Sequence, residues 1–383
     1  MQLRDDLSVY RRGRRFPVWL LLVLGLLILL SGVALYNRRE ELLGNTGLAV
    51  PTAIPTPDAI SMLARARALE SADRLLEALS IYEEIASIEP EDPFAWVAQS
   101  RIYLLFEESD KALATARQAF ALDDENQPAL NALGRALDWT GAYEEAVEIL
   151  VEALTLNPHD ADTLAILGEV YADVGNWGQA DLYLSQALEA DPQHVLAWRN
   201  RALLFERQGL YREAVEALDE GLAIDSTAWE LEIYKGRLFE VLFEQENALA
   251  AFQRAVDINP YISDTWDALG FAHFKAGNDL EALRILKQAV EINPQDGEAQ
   301  AHWGSVYYRR GNYERAVEIL TLAVELLGDR TRIEYLYQLG LAHIYKEPRE
   351  CALAIPWLEA ALAIDPQSLP ALAGLSECPP VGA

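Results

Sequence analysis

Residues 127–160 read QPALNALGRALDWTGAYEEAVEILVEALTLNPHD, and residues 161–194 read ADTLAILGEVYADVGNWGQADLYLSQALEADPQH. With the second set beneath the first, Gly168 falls under Gly134, Gly175 under Gly141, Ala180 under Ala146, Ala187 under Ala153 and Pro192 under Pro158. The period is 34 residues, and it continues in both directions. Pro90, Pro260 and Pro294 lie on the same grid, with Asp124, Ser226 and Gly328 at its remaining points. Twelve residues before every grid point stands an alanine: Ala78, Ala112, Ala146, Ala180, Ala214, Ala248, Ala282 and Ala316. Ala354 repeats the relation with Pro366 after four inserted residues.

The other half of each unit is as regular. Ten residues past the grid come Gly134, Gly168, Gly236, Gly270 and Gly304, with Ser100 and Ala202 as small substitutes. Aromatic residues flank that slot, Trp96, Trp198 and Trp266 before it and Tyr103, Tyr171, Phe205, Phe239 and Tyr307 after it. Gly141, Gly175, Gly209, Gly277 and Gly311 mark a turn between two helices. Small residues let two backbones approach, and large ones a turn away fill the space beside them. Proline ends the second helix because it lacks a donor and clashes with the preceding turn. Such a hairpin cannot bury its own apolar face, so hairpins must stack.

These residues resemble the tetratricopeptide repeat family, whose Trp, Leu-Gly, Tyr, Ala, Phe, Ala and Pro slots fall at the same offsets. The resemblance covers about residues 58–378. It implies an all-α, right-handed α-solenoid of about nine hairpins at 58–366, closed by a capping helix and tail at 367–383. Departures are local: Phe243 replaces the turn glycine and Ser226 the closing proline of the sixth unit, and the ninth carries insertions.

The chain has 383 residues and a net charge of −29. Residues 1–40 hold seven arginines against Asp5, Asp6 and Glu40, a net +4, which leaves −33 on residues 41–383. So acidic a body argues against nucleic acid as a partner, since phosphate backbones are gripped by clustered Lys and Arg. Residues 1–16 read as a basic cytoplasmic tail, 17–37 as a transmembrane anchor of about 20 apolar residues, and 38–57 as a Pro/Thr stalk. A cleaved signal peptide is the alternative, although its apolar stretch is usually about 7–15 residues. The arginines ahead of the span place the N-terminus in the cytoplasm and the repeat body outside it. The expectation is therefore a single-pass membrane protein, with the membrane itself and a larger envelope complex among its partners.

No phosphate loop, G-x-G-x-x-G, H-E-x-x-H or G-x-S-x-G occurs, so no catalytic, cofactor or metal residue is expected. Two readings stand for Cys351 and Cys378. They are separate buried thiols, or a disulfide that staples the cap, because antiparallel neighbouring helices bring those two ends together.

In the resembled family, first-helix side chains line a concave groove that takes extended peptides or a partner's helix. The matching positions here are Arg101, Asn131, Arg135, Trp139, Arg199, Asn200, Tyr234, Arg237, Phe271, His302, Tyr308 and Arg309. Two readings stand for the arginines: they meet carboxylates on the ligand, or they pair with Asp138, Glu169, Glu206 and Glu240 nearby. The family's Lys/Asn clamp for C-terminal carboxylates is matched only in fragments and is not carried over. The function implied is a scaffold or adaptor that binds proteins or peptides. The second reading is an accessory or regulatory subunit of a membrane-bound envelope assembly or modification enzyme.

Overall fold

A computed structural model describes residues 57–72, 74–106 and 108–378 of the chain. The described residues form one compact unit. Among the described residues there are nine consecutive helix hairpins and a closing helix. The first helices are α1 (Pro57–Ser71), α3 (Pro93–Leu105), α5 (Gln127–Trp139), α7 (Ala161–Asp173), α9 (Val195–Arg207), α11 (Trp229–Val241), α13 (Ser263–Lys275), α15 (Gly297–Arg309) and α17 (Ile333–Tyr345). Their second helices are α2 (Leu75–Ile88), α4 (Ser109–Leu122), α6 (Tyr143–Leu156), α8 (Trp177–Ala190), α10 (Tyr211–Ile224), α12 (Gln245–Ile258), α14 (Asp279–Ile292), α16 (Tyr313–Leu327) and α18 (Cys351–Ile364). The closing helix α19 is Leu369–Glu377.

The boundaries follow from side-chain chemistry. Asp92, Asn126, Asp160 and Asp296 accept the backbone N–H of Phe94, Ala129, Thr163 and Ala299 at 2.9–3.1 Å, satisfying donors that a helix start leaves open. His194 fills the same role through Nδ1 for Ala197. The turn glycines reverse the chain at φ 74–80°, a region that costs little only for glycine. Phe243 occupies that slot in the sixth hairpin at φ 60° and is 94% exposed.

Each hairpin packs against the next, and its inner alanines and leucines, such as Ala146, Leu150 and Ala153, are sealed from solvent. First helices also pack on the first helices of neighbouring hairpins, from α3 to α9 and again from α11 to α19. Consecutive second helices have no comparable contact among the described residues. Repeats spaced more closely on the first-helix side make that side the inner face of the stack. Between α9 and α11 the first-helix contact falls away, and Tyr234 reaches across to donate a hydrogen bond to Glu206.

In the ninth hairpin, a 3₁₀ turn at Gly328–Arg330 takes up the first insertion. Cys351, at the start of α18, and Cys378, just beyond α19, are joined in a disulfide with Cα atoms 5.4 Å apart. Pro57 opens α1.

One expectation is corrected. Among the described residues no helix is long and apolar enough to cross a membrane, so a single-pass membrane protein with its repeat body outside the cytoplasm is not supported. The membrane partner and the envelope complex lose their basis with it. The tail at 1–16, the apolar stretch at 17–37 and the Pro/Thr segment up to 56 lie outside the described residues.

Candidate functional site

The inner face is built from residues one helical turn apart on consecutive first helices, so three hairpins can meet at one side chain. Glu169 on α7 is such a point. It is 3% exposed. Asn200 on α9 donates to its Oε2 at 3.1 Å, Arg199 approaches its Oε1 at 3.5 Å, and Nε of Arg135 on α5 lies 3.8 Å from Oε2. The last is a charge contact and not a hydrogen bond, since Arg135 Nε has no acceptor. A buried carboxylate is expensive unless paired and hydrogen-bonded, and here α5 and α9 supply those partners. A second polar knot joins α5 to α7: Asn131 donates to Asp160 at 3.1 Å and accepts from Thr163 at 2.6 Å. Hydrogen bonds from the Thr163 hydroxyl and backbone N–H and from Asn131 hold the Asp160 carboxyl below the usual range, against the opposing effect of its burial.

Beside Glu169, toward the turn ends of the hairpins, opens a cleft of about 670 Å³. Asp138 and Trp139 from α5, Asp173 from α7, Trp177 from α8 and Arg199 and Arg207 from α9 line it. Arg207 donates to Asp173 at 2.8 Å. Burial pushes the Asp173 carboxyl up, against this bond. Asp138 is 4% exposed, and its Oδ1 has no hydrogen-bond partner. Burial, with Glu169 and Asp173 adding to it, pushes its carboxyl up to about 8.

Most of the remaining sequence-predicted positions are already engaged. Arg101 pairs with Glu70 on α1 at 2.7 Å. Asn200 is fully buried and also donates to the Ala165 carbonyl at 3.1 Å, so it ties α7 to α9 and does not face a ligand. Phe271 and His302 stack with ring centroids 3.6 Å apart, and His302 Nδ1 bonds Asp267 at 2.8 Å. His302 is buried and braces α13 against α15. Tyr308 is half-buried against Tyr313. Arg309 stacks over Phe274 at 3.5 Å and bonds Asp279. Trp139, at 39% exposed, and Arg237 are open to solvent. The structure thus gathers Arg135, Arg199 and Asn200 around one carboxylate, and leaves Arg101, Arg237, Tyr308 and Arg309 in separate places along the stack.

Profiles of the tetratricopeptide repeat family match residues 129–157, 167–228 and 273–339, each spanning hairpins described above. The chain belongs to the tetratricopeptide repeat family. This tetratricopeptide repeat chain is similar to anaphase-promoting complex subunit 3 of Schizosaccharomyces pombe, 23% identical over 177 residues, which are 46% of this chain and 27% of that protein. It is also similar to the TPR repeat-containing protein PA4667 of Pseudomonas aeruginosa, 34% identical over 141 residues, 35% of this chain and 23% of that one. The chain therefore spans about a quarter of the length of these two relatives. Among solved structures, the APC/C hetero-tetramer Cut9-Hcn1 superposes with a TM-score of 0.55 at 19% identity, covering 79% of this chain and 59% of that one. That likeness establishes the fold alone.

Sequence reasoning within the tetratricopeptide repeat frame missed Asp173, Trp177 and Arg207 as neighbours of the inner face. Asp173 and Arg207 are the last residues of α7 and α9, and Trp177 is the first of α8. Their signal lay in the turn itself, where the end of one helix and the start of the next converge beside the same groove.

Proposed function

We propose that the repeat body is a non-enzymatic scaffold that holds a partner protein, through an extended segment or a helix, along the first-helix face. The observation that carries this reading is the adjacency of first helices from consecutive hairpins, from α3 to α9 and again from α11 to α19, which lines up side chains of separate repeats in two rows. A row of that kind suits a ligand that is itself linear, and repeat arrays use their inner surface in this way. Exposed Trp139 and Arg237 belong to the residue types that dominate binding energy at interfaces. The name of the S. pombe relative makes it a subunit of a larger complex, in keeping with a scaffolding role here. The paired arginines favour a groove whose own carboxylates balance its cations, and not one built to receive acidic ligands.

The test is selection of a random displayed-peptide library on the full chain, followed by binding to the Trp139→Ala, Arg237→Glu double variant. Enriched sequences should bind the variant at least about tenfold more weakly, a change of roughly 1.4 kcal/mol. A library that yields no enriched sequence, or sequences that ignore the double substitution, would count against the scaffold reading.

A further inference from the structure

The cleft beside Glu169 has an unbalanced feature. Three arginines and three carboxylates converge there, but the pairs are unequal. Arg207 bonds Asp173, and Arg199 and Arg135 lie against Glu169. The Asp138 carboxyl is left without a cation of its own, nine-tenths buried, with an oxygen that accepts no hydrogen bond. Buried polar groups in native proteins are rarely left so, and an exception calls for a missing partner. A donor suits it, because Asp138 offers oxygen, Arg199 and Arg207 lie against Glu169 and Asp173, and Arg135, whose Nε has no acceptor, makes no bond to it.

Two further facts state what kind of donor. Trp139 and Trp177 border the same cleft with 39% and 48% of their surfaces open, and an indole face attracts a cation held within about 6 Å. The body around the cleft carries −33 over residues 41–383, which draws cationic partners toward it and repels anionic ones. An anionic ligand would find Arg199 and Arg207 already bonded and would have to displace Glu169 or Asp173.

We propose that this cleft receives a lysine or arginine side chain of the bound segment, with Asp138 as its counter-ion and Trp139 and Trp177 as its flanking aromatic faces. The proposal rests on the scaffold reading above and names one chemical feature of the ligand. It has a proton balance. The groups facing Asp138 are Arg135 on its own helix, Glu169 and Asp173 on α7, and Arg199 and Arg207 on α9, with the Tyr143 ring of α6 also lining the cleft. Near pH 7 the two facing carboxylates and burial keep Asp138 protonated. A bound ammonium or guanidinium stabilises the carboxylate, so binding releases that proton to solvent, and affinity rises as pH climbs toward about 8.

The experiment is isothermal titration of the full chain with blocked glycine pentapeptides whose central residue is lysine, arginine, norleucine or glutamate. Titrations run at pH 7 in two buffers of different ionisation enthalpy. The lysine and arginine probes should bind at least about tenfold more tightly than norleucine, with close to one proton released per peptide. Asp138→Asn, which copies the neutral carboxyl and so keeps the fold, should erase the preference. Trp177→Ala, on a half-exposed side chain, should weaken the lysine probe about threefold or more. Equal binding of lysine and norleucine overturns the proposal, as does a preference for glutamate that strengthens as pH falls, or an unchanged preference in Asp138→Asn. If library-selected peptides bind the chain but lack basic residues and ignore Asp138→Asn, this inference falls and the scaffold reading stands. If neither library nor probes bind, both fall.

Discussion

Gly168 on α7 faces Leu184 on α8 so closely that a Cβ built on the glycine would lie 2.5 Å from the leucine Cγ. The same approach recurs between Gly270 and Leu286 and between Gly304 and Leu320, at 2.7 Å. The small slot of the repeat is therefore a contact point between the two helices of one hairpin, and the 34-residue grid is the spacing of those contact points along the chain.

Gly168→Ala should destabilise the protein by about 1–3 kcal/mol, although alanine is the better helix former by up to about 1 kcal/mol. Leu184 is fully buried, so an added Cβ must displace packed atoms. Urea denaturation of wild type and variant measures the difference, and an unchanged midpoint would mean that the hairpin can open without cost.

Phe243→Gly should act in the opposite direction. The phenylalanine holds a left-handed backbone at φ 60° and exposes 94% of its surface, so it offers little packing in return for strain of about 1–2 kcal/mol. Thermal unfolding should shift upward. A lower melting temperature would show that the exposed ring stabilises the fold by some other contact.

Glu169→Gln should cost about 2–3 kcal/mol, because the carboxylate is buried, accepts a hydrogen bond from Asn200 and lies in charge contact with Arg199 of α9 and Arg135 of α5. Hydrogen exchange is expected to quicken in α5, α7 and α9 together. Acceleration confined to α7 would contradict its role as a three-helix tie.

Asp138 gives a pH dependence with a definite sign. Its folded carboxyl titrates near 8 and its ordinary value is 3.8, so between those values the folded state binds the extra proton and stability falls as pH rises. The loss is complete once pH passes the folded value. Asp138→Asn has no proton to lose there. The variant should match wild type near pH 4 and exceed it at pH 8 by at least about 1 kcal/mol. Parallel curves across this window would refute the assignment.

The disulfide between Cys351 and Cys378 closes a segment with a sequence separation of 27, worth roughly 3–4 kcal/mol on the chain-entropy account. Replacing both cysteines with serine should speed exchange in α19 and leave α3 to α9 unchanged, because repeats feel mainly their neighbours. Equal protection of α19 in the two proteins would assign the cap's stability to Ala371 and Gly374 packing alone.

The hairpins were legible because they are local. Ala146, Leu150 and Ala153 bury one face of α6 wherever that helix packs, and Gly141 must reverse the chain whatever surrounds it. The inner-face positions were legible only as places on a helix. Reading Asn200 and His302 as ligand-facing follows from their slots, yet both are buried, because Glu169 and Asp267 on the neighbouring first helices draw them inward.

The sequence by itself determined a solenoid of helix hairpins, since a 34-residue period of small residues, turn glycines and helix-ending prolines has one way to bury its apolar faces. Only the tertiary structure decided that Glu169 would tie three hairpins together and that Asp138 would be left buried without a cation. Both follow from distances between helices 30 or more residues apart in the chain, such as Asn200 to Glu169. Which carboxylate a given arginine reaches depends on how adjacent hairpins are rotated against each other. No periodicity within one hairpin encodes that angle.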